Sequence, residues 1–454
     1  MRRPAARQSL RLLLAAAALW AAAVPGVWPG TRTAAARTAP AEDPYAALSP
    51  SWGGHLRLRG SLAWPDDRSV YQLVGTGTYL DGAGELRLKN QLFFGDWGRF
   101  ETHYEAILLG GDAWKAGREI AALTGGQWPG GLFAPEVRTL SDDRRLMDLT
   151  HVIDDGTDGA LYQRLDRLFL SVDRPWGNVR LGRQAVTWGS GMVFNPMDLF
   201  NPFAPTDVVR DYKVGDDMAL VTLPFGENGD LQAVGVPRRN PETAALRWDE
   251  SALGAKLRMP WGATEWTMLA AWNHENIVAG AGAVGYIGAA AWRFDATWTV
   301  LPDESPSGGY FSAVANMDVS WTGWGKNFYG FVEIYYNGLG VTEYSQVPAD
   351  PDLLDALARG EVFTLGRLYL TPHVGVELHP LFNVYVTAIN NLRDPSGIVQ
   401  PWCAWSVTQD IEVITGATIY WGGDGTEYGG FPISGTDLWA VPADAAYAWV
   451  TYYF

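Results

Sequence analysis

The sequence holds one cysteine, Cys403, which excludes an internal disulfide framework, a cysteine-built zinc site and a covalent c-type haem attachment. It also leaves no cysteine near the N-terminus for lipid acylation. No apolar run reaches the roughly twenty residues that a helix needs to cross a bilayer. Positive charge is short as well: 34 Lys and Arg face 50 Asp and Glu, for a formal net charge of -16. Nucleic acid demands the opposite, a basic footprint for its phosphates. Histidine is scarce at six residues, and no Gly-x-Ser-x-Gly element occurs, which leaves a serine hydrolase little to be built from.

Aromatic residues and turn formers are abundant. The chain carries 22 Trp, 19 Tyr and 17 Phe, with 52 Gly and 27 Pro to punctuate it. Its start has the layout of an export signal: Arg2, Arg3, Arg7 and Arg11 precede an apolar stretch from Leu12 to Val24, and Ala34, Ala35 and Ala36 offer a cleavage site. We read residues 1–36 as that signal and 37–50 as a periplasmic linker. Removing the signal takes away five arginines and no acid, which leaves a mature charge of -21.

From residue 51 onward the dominant period is two. In HLRLRGSL, His55, Arg57 and Arg59 oppose Leu56 and Leu58; in ELRLKNQL, Arg87, Lys89 and Gln91 oppose Leu86, Leu88 and Leu92. FETHYEAIL sets Glu101, His103 and Glu105 against Thr102, Tyr104, Ala106 and Leu108. ALGAKLRM repeats the pattern with Lys256 and Arg258, and IEVITGATIY puts Ile411, Val413, Thr415, Ala417 and Ile419 on one face. Such segments have the length of a tilted membrane crossing.

The connections alternate between short and long. Tight ones recur as GDWG at 95, PWG at 175, PFGENG at 224, PWG at 260, GWG at 323 and HPLF at 379. Long polar stretches lie between them, at 64–83, 111–158, 189–213, 338–360 and 421–444. One-sided loops are the layout of a bacterial outer-membrane protein: an all-β, antiparallel transmembrane barrel with short periplasmic turns and long extracellular loops. The pattern predicts roughly eighteen strands (16–18) over 51–454, with crossings at 53–63, 84–94, 177–188 and 382–391, and 111–158 outside the cell. A secreted sandwich or propeller gives no reason for loops so unequal on the two sides. The chain ends on an aromatic strand with Tyr452 and Phe454, which resembles the signal by which the barrel assembly machinery receives its substrates.

The run LDRLFLSVDRPWGNVRLGRQAVTWGSGMVFNPMDLF is more individual. Its Gly-Arg-Gln-x-Val-x-Trp-Gly element from Gly182 to Gly189, followed by Asn195-Pro196 and Asp198, resembles a hairpin of Gram-negative outer-membrane barrels that include alginate-export-like porins. The resemblance covers this hairpin and its loop, and elsewhere it is architectural. It implies a barrel and transport. Such barrels share no single substrate, so no solute is carried over.

The same residues read bottom-up form a wall of arginines, Arg164, Arg167, Arg180 and Arg183. A guanidinium facing lipid near the midplane costs about 2–4 kcal/mol, so these side chains should face the lumen. Alternation would separate Arg180 from Arg183, and a bulge at Gly182 would reunite them. Asp166 is the nearest partner, and an arginine–carboxylate network that packs the interior is as good a reading as a solute site. In the loop that follows, Met192, Val193, Phe194, Met197, Leu199, Phe200 and Phe203 make an apolar patch too costly to expose. With Asn195 and Asp198 it either folds back as a constriction or caps the mouth.

Enzymatic and metal readings are weak. His373, Glu377 and His379 share a face by parity but sit about 7 Å apart along the strand. The acidic loop residues lack calcium-loop spacing. We therefore expect no catalytic residues, metal or cofactor. Two functions remain. One is a porin-like channel or export barrel whose lumen, lined by Arg57, Arg87, Lys89, Glu101 and Glu105 beside the arginine wall, passes a hydrophilic small molecule or oligosaccharide, anions among them. The other is a structural or binding barrel: an adhesin, a receptor or the sheath of an electron-transfer complex. Either would have membrane lipid and lipopolysaccharide as neighbours and no nucleic acid.

Overall fold

The computed structural model describes residues 48–123, 141–207, 212–433 and 435–454. The segment read as an export signal and most of the linker lie outside these residues. In chain order the first strands are β1 Leu48–Trp64, β2 Tyr79–Phe94, β3 Gly98–Gly111, β4 Thr150–Asp155, β5 Gly159–Arg174, β6 Gly177–Gln184 and β7 Asp216–Phe225. Next come β8 Gly229–Arg239, β9 Leu246–Trp261, β10 Thr264–Asn273, β11 Asn276–Ile287, β12 Ala290–Val300, β13 Gly309–Gly323 and β14 Lys326–Asn337. The last are β15 Leu368–His379, β16 Phe382–Asn391, β17 Ser396–Ser406, β18 Ile411–Gly422, the short pair β19 Phe431–Pro432 and β20 Trp439–Ala440, and β21 Asp444–Tyr453.

All but β4, β19 and β20 join one closed antiparallel barrel of 18 strands, in which β21 returns to β1 from His55↔Tyr453 to Trp64↔Asp444. Closure leaves no sheet edge, which is what a bilayer requires of strands, since lipid offers no partner to a free N–H or C=O. No helix among the described residues is long and apolar enough to cross a membrane. The exterior carries Leu58, Leu170, Trp298, Phe311, Val332 and Val450, all exposed, while polar partners on the same strands are buried inside.

Eight tight turns gather at one end, at 95–97, 175–176, 226–228, 262–263, 288–289, 324–325, 380–381 and 407–410. Gly262 (φ 66°) and Gly325 (φ 69°) take the left-handed conformation such turns need. Trp176, Trp261 and Trp324 stand out here at 55%, 76% and 93% exposure, as rings at a membrane interface do. The turns at 288–289 and 407–410 lack the Trp-Gly signature and are not apparent in the sequence.

Two expectations need correction. β6 stops at Gln184, short of the crossing predicted to 188, because the chain then turns inward. Its place beside β5 is taken by β4, which pairs with Ala160–Arg164, and Arg239 N donates to Arg144 O at 2.9 Å. Part of the 111–158 stretch thus completes the wall there and pairs backbone groups that β6 leaves behind. The bulge expected at Gly182 is absent: β5 and β6 pair in unbroken register from Leu168↔Arg183 to Arg174↔Gly177. The irregularity falls on β5 instead, where His103 faces Arg167 and Tyr104 faces Leu165, so Asp166 is extruded. That extra residue is what turns Arg164, Asp166 and Arg167 to one side.

Candidate functional site: a folded loop between two unlike walls

The described residues of the connection after β6, 185–207 and 212–215, lie inside the barrel. Its first half packs on the inward faces of β7 to β11, where Trp188, Met197 and Phe200 are buried with Leu220, Val234, Leu269 and Val278. Phe200 meets the Trp188 ring edge to face at 5.2 Å. Asn195 donates to Trp188 O at 2.9 Å, and its amide oxygen lies where a Cβ on Gly189 (φ 84°) would stand. Glycine is required there by both conformation and space. Asp198 accepts from Lys213 Nζ at 2.5 Å, and Lys213 also donates to Val186 O at 2.6 Å, so the two ends of the loop are tied together. Burial pushes the Asp198 carboxyl up to about 6, against the pull of Lys213.

Two wall carboxylates receive the loop backbone. Ser190 donates its N–H and its hydroxyl to Asp295 Oδ2 at 2.5 and 2.9 Å. Met192, Val193 and Phe194 point three successive N–H groups at Glu333, at 2.6, 3.0 and 2.8 Å. Such a run of amides is an anion nest, here filled by the protein's own carboxylate. The Phe194 ring then lies flat on Tyr335 at 4.4 Å and 6°, with Tyr369 at 5.6 Å. Further along, Thr206 O accepts from Gln400 of β17 at 3.0 Å, and Tyr212 reaches β1 and β2. The loop therefore touches several sides of the lumen and narrows it.

The wall formed by β1, β2, β3, β5 and β6 is charged. Asp166 is its hub: Arg87 and Arg167 pair with it at 3.1 and 2.6 Å, Arg164 lies at 3.9 Å, and Gly215 N donates to it at 3.2 Å. Glu105 binds both Arg87 and Arg164. His55 meets Glu85 at 3.0 Å, Glu101 meets His103 at 3.1 Å and Gln91 at 3.0 Å, and Arg57 donates to Thr451 at 3.1 Å. Every carboxylate of this wall is engaged, but the cations outnumber them. Among the described residues, Arg59, Lys89 and Arg180 form no ion pair; Arg180 donates to Asn178 Oδ1 at 3.2 Å.

Arg183 departs from the expectation of a water-filled surrounding. Its guanidinium is sealed between Asp217 at 2.8 Å and Asp142 at 2.9 Å and donates to Met147 O at 2.6 Å. It fastens the returning 142–155 segment into the wall. A second arginine, Arg238, is buried with Asp216 at 3.0 Å in the same region. Neither role is visible without knowing that this segment comes back.

The wall formed by β13 to β17 is aromatic. Phe331 stacks on His373 at 4.7 Å and 12°, and Tyr385 on Trp402 at 4.0 Å and 19°. A Cβ at Gly375 would lie 2.7 Å from the Tyr385 ring, so that glycine makes room for it. His373 Nδ1 bonds Thr387 Oγ1 at 2.8 Å, and a bulge between Glu377 and His379 breaks the common face that parity assigned to His373, Glu377 and His379. At the barrel seam, Phe454 N donates to Gly54 O at 3.1 Å and its carbonyl accepts from Gly54 N at 2.9 Å, while Tyr452 faces outward.

No family model matches the chain, and no curated protein matches it. Among solved structures it is similar to OccAB2 of Acinetobacter baumannii, with a TM-score of 0.51 and 10% identity over 89% of this chain and 98% of that one. OccAB1 of the same organism gives 0.48, with 10% identity over 89% and 96%, and OccK5 (OpdH) of Pseudomonas aeruginosa gives 0.48, with 10% identity over 89% and 98%. At such identity the likeness to OccAB2 is one of fold. The chain is a closed 18-stranded antiparallel barrel, and its apolar exterior, with exposed tryptophans at the end of the tight turns, is that of a bacterial outer-membrane protein.

Proposed function

We propose that the barrel is a porin-like channel for small hydrophilic solutes, with anions preferred over cations. The observation that carries this reading is the charge left over on the inner wall: Arg59, Lys89 and Arg180 stand there with no ion pair among the described residues. A narrow passage with low-dielectric walls focuses their field, so they outweigh the distant and screened acids of the outer loops. Opposed walls, one charged and one aromatic, would orient a solute as it passes the loop. The hairpin's likeness to alginate-export-like porins also points to transport, without naming a solute. We read the barrel as non-enzymatic.

Reversal potentials in planar bilayers under a salt gradient test the proposal. Anion-selective current is the expected result; cation selectivity, or a folded barrel that carries no current, overturns it and favours a structural or binding role. We also propose that residues 1–36 direct export and that Tyr452 and Phe454 are read by the barrel assembly machinery. Deleting the last three residues should then lower the amount of heat-modifiable barrel in the outer membrane while export persists.

A further inference from the structure

We propose that Tyr212 is a built-in gate: its ring is a tethered occupant of an anion seat made by Arg87, Lys89 and His55, and an entering anion takes the seat by displacing it. The inference rests on the channel reading and adds a regulatory residue to it. The Tyr212 ring centre lies 4.0 Å from the Arg87 guanidinium carbon and 4.3 Å from Lys89 Nζ, and its ring runs near-parallel to His55 at 5.7 Å and 26°. Its hydroxyl bonds Lys89. A neutral ring is the weaker occupant of such a place. A cation–π contact with a neutral ring is weaker than the charge-assisted hydrogen bonds that an anion makes with the same cations.

The two cations are not equivalent. Arg87 is already shared among Glu85, Glu105 and Asp166, and His55 is paired with Glu85, but Lys89 has no carboxylate partner among the described residues, so Lys89 carries the seat's unbalanced positive charge. The stem that carries the ring is fixed. Lys213, the next residue, is held by Asp198 and Val186 O, and its carbonyl accepts from Arg167. Gly215 N is bound to Asp166. Displacement therefore needs only that the side chain swing on a pinned backbone, while the apolar half of the loop stays on Glu333 and Asp295.

A tethered competitor lowers apparent affinity by the fraction of time that the seat is vacant; vacancy a tenth of the time weakens binding about tenfold. Inorganic phosphate is the probe, titrated calorimetrically into the purified full-length barrel, with chloride current measured in parallel. Tyr212→Ala should bind phosphate several-fold tighter than the unaltered barrel and pass more chloride. Tyr212→Phe, which keeps the ring but loses the bond to Lys89, should fall between them. Adding Lys89→Gln to Tyr212→Ala should abolish the gain. Heat-modifiable migration establishes that each variant is folded. Unchanged or weaker phosphate binding in Tyr212→Ala, or a double variant that binds as tightly as Tyr212→Ala alone, overturns the gate. Tightened binding in a barrel that passes no current upholds the seat and overturns the channel reading.

Discussion

On β1 to β6 the lumen is a lattice of arginines and carboxylates, whereas on β13 to β17 it is a run of stacked rings. The loop bridging them is held differently by each. At the aromatic wall it is sunk into the protein, with three N–H groups on Glu333 and Phe194 flat on Tyr335. At the charged wall, Tyr212 meets β1 and β2 through its side chain, by ring–cation contacts and one hydroxyl bond. The buried carboxylate fixes the loop backbone at one wall; at the other, Lys213 O and Gly215 N are fixed on Arg167 and Asp166, and only the Tyr212 ring is releasable. Charge in this lumen accordingly does two jobs. Paired charges build the wall, and those with no ion pair among the described residues carry the selectivity we propose.

Disrupting the charged wall should have the largest effect. Asp166→Ala takes from Arg167 its ion pair and leaves Arg87 and Arg164 to share Glu105, and breaking a buried ion pair costs about 3–5 kcal/mol. Equilibrium unfolding in urea should show a loss of that size. If stability is unchanged, the arginines are hydrated and the wall is open rather than packed.

At the opposite wall, Glu333→Ala removes the acceptor of three backbone N–H groups. Orphaned buried donors cost about 1–3 kcal/mol each, and partial release of the loop recovers some of it, so we expect a net loss of about 2–4 kcal/mol. Because the loop lifts, single-channel conductance should rise. A stable variant with unaltered conductance would show that apolar packing under Trp188 holds the loop alone.

A smaller perturbation separates ring packing from polar anchoring. Gly375→Ala places a methyl group 2.7 Å from the Tyr385 ring, and overpacking of this kind costs about 1–3 kcal/mol. Its thermal unfolding midpoint should fall with no change in ion selectivity. The smallest effect on stability is expected of Arg180→Gln, within about 0.5 kcal/mol, since Arg180 forms no ion pair among the described residues. Its reversal potential should nevertheless move toward cations. Arg183→Gln offers the contrast: with Asp217 stripped of its ion pair and Asp142 left to Arg145, it should lose stability and leave selectivity unmoved. Equal shifts in reversal potential from both would place Arg183 in the passage after all.

The charged wall was the legible one. Where Arg57, Arg87, Lys89, Glu101 and Glu105 alternate with leucines and other apolar residues, polarity marks the inward face directly. The aromatic wall alternates rings with aliphatics: in β14, Tyr329, Phe331 and Tyr335 turn inward while Val332, Ile334 and Tyr336 turn to lipid. Both faces are apolar, so parity has no contrast to work with. The anchoring role of Glu333 has no local signal, because its three partners lie about 140 residues earlier in the chain.

By itself the sequence determined the architecture. Period-two segments of crossing length, tight Trp-Gly turns on one side and long loops on the other admit only a closed barrel in lipid, since each rule reflects local geometry or the cost of exposing a group to the bilayer. Tertiary structure alone decided which charges stay free. Arg180 and Arg183 are three residues apart and chemically identical, yet among the described residues one forms no ion pair and the other is sealed by Asp142 and Asp217. That difference depends on where a distant segment returns and on an extruded Asp166, contacts whose position follows from closing the whole ring and not from any local pattern.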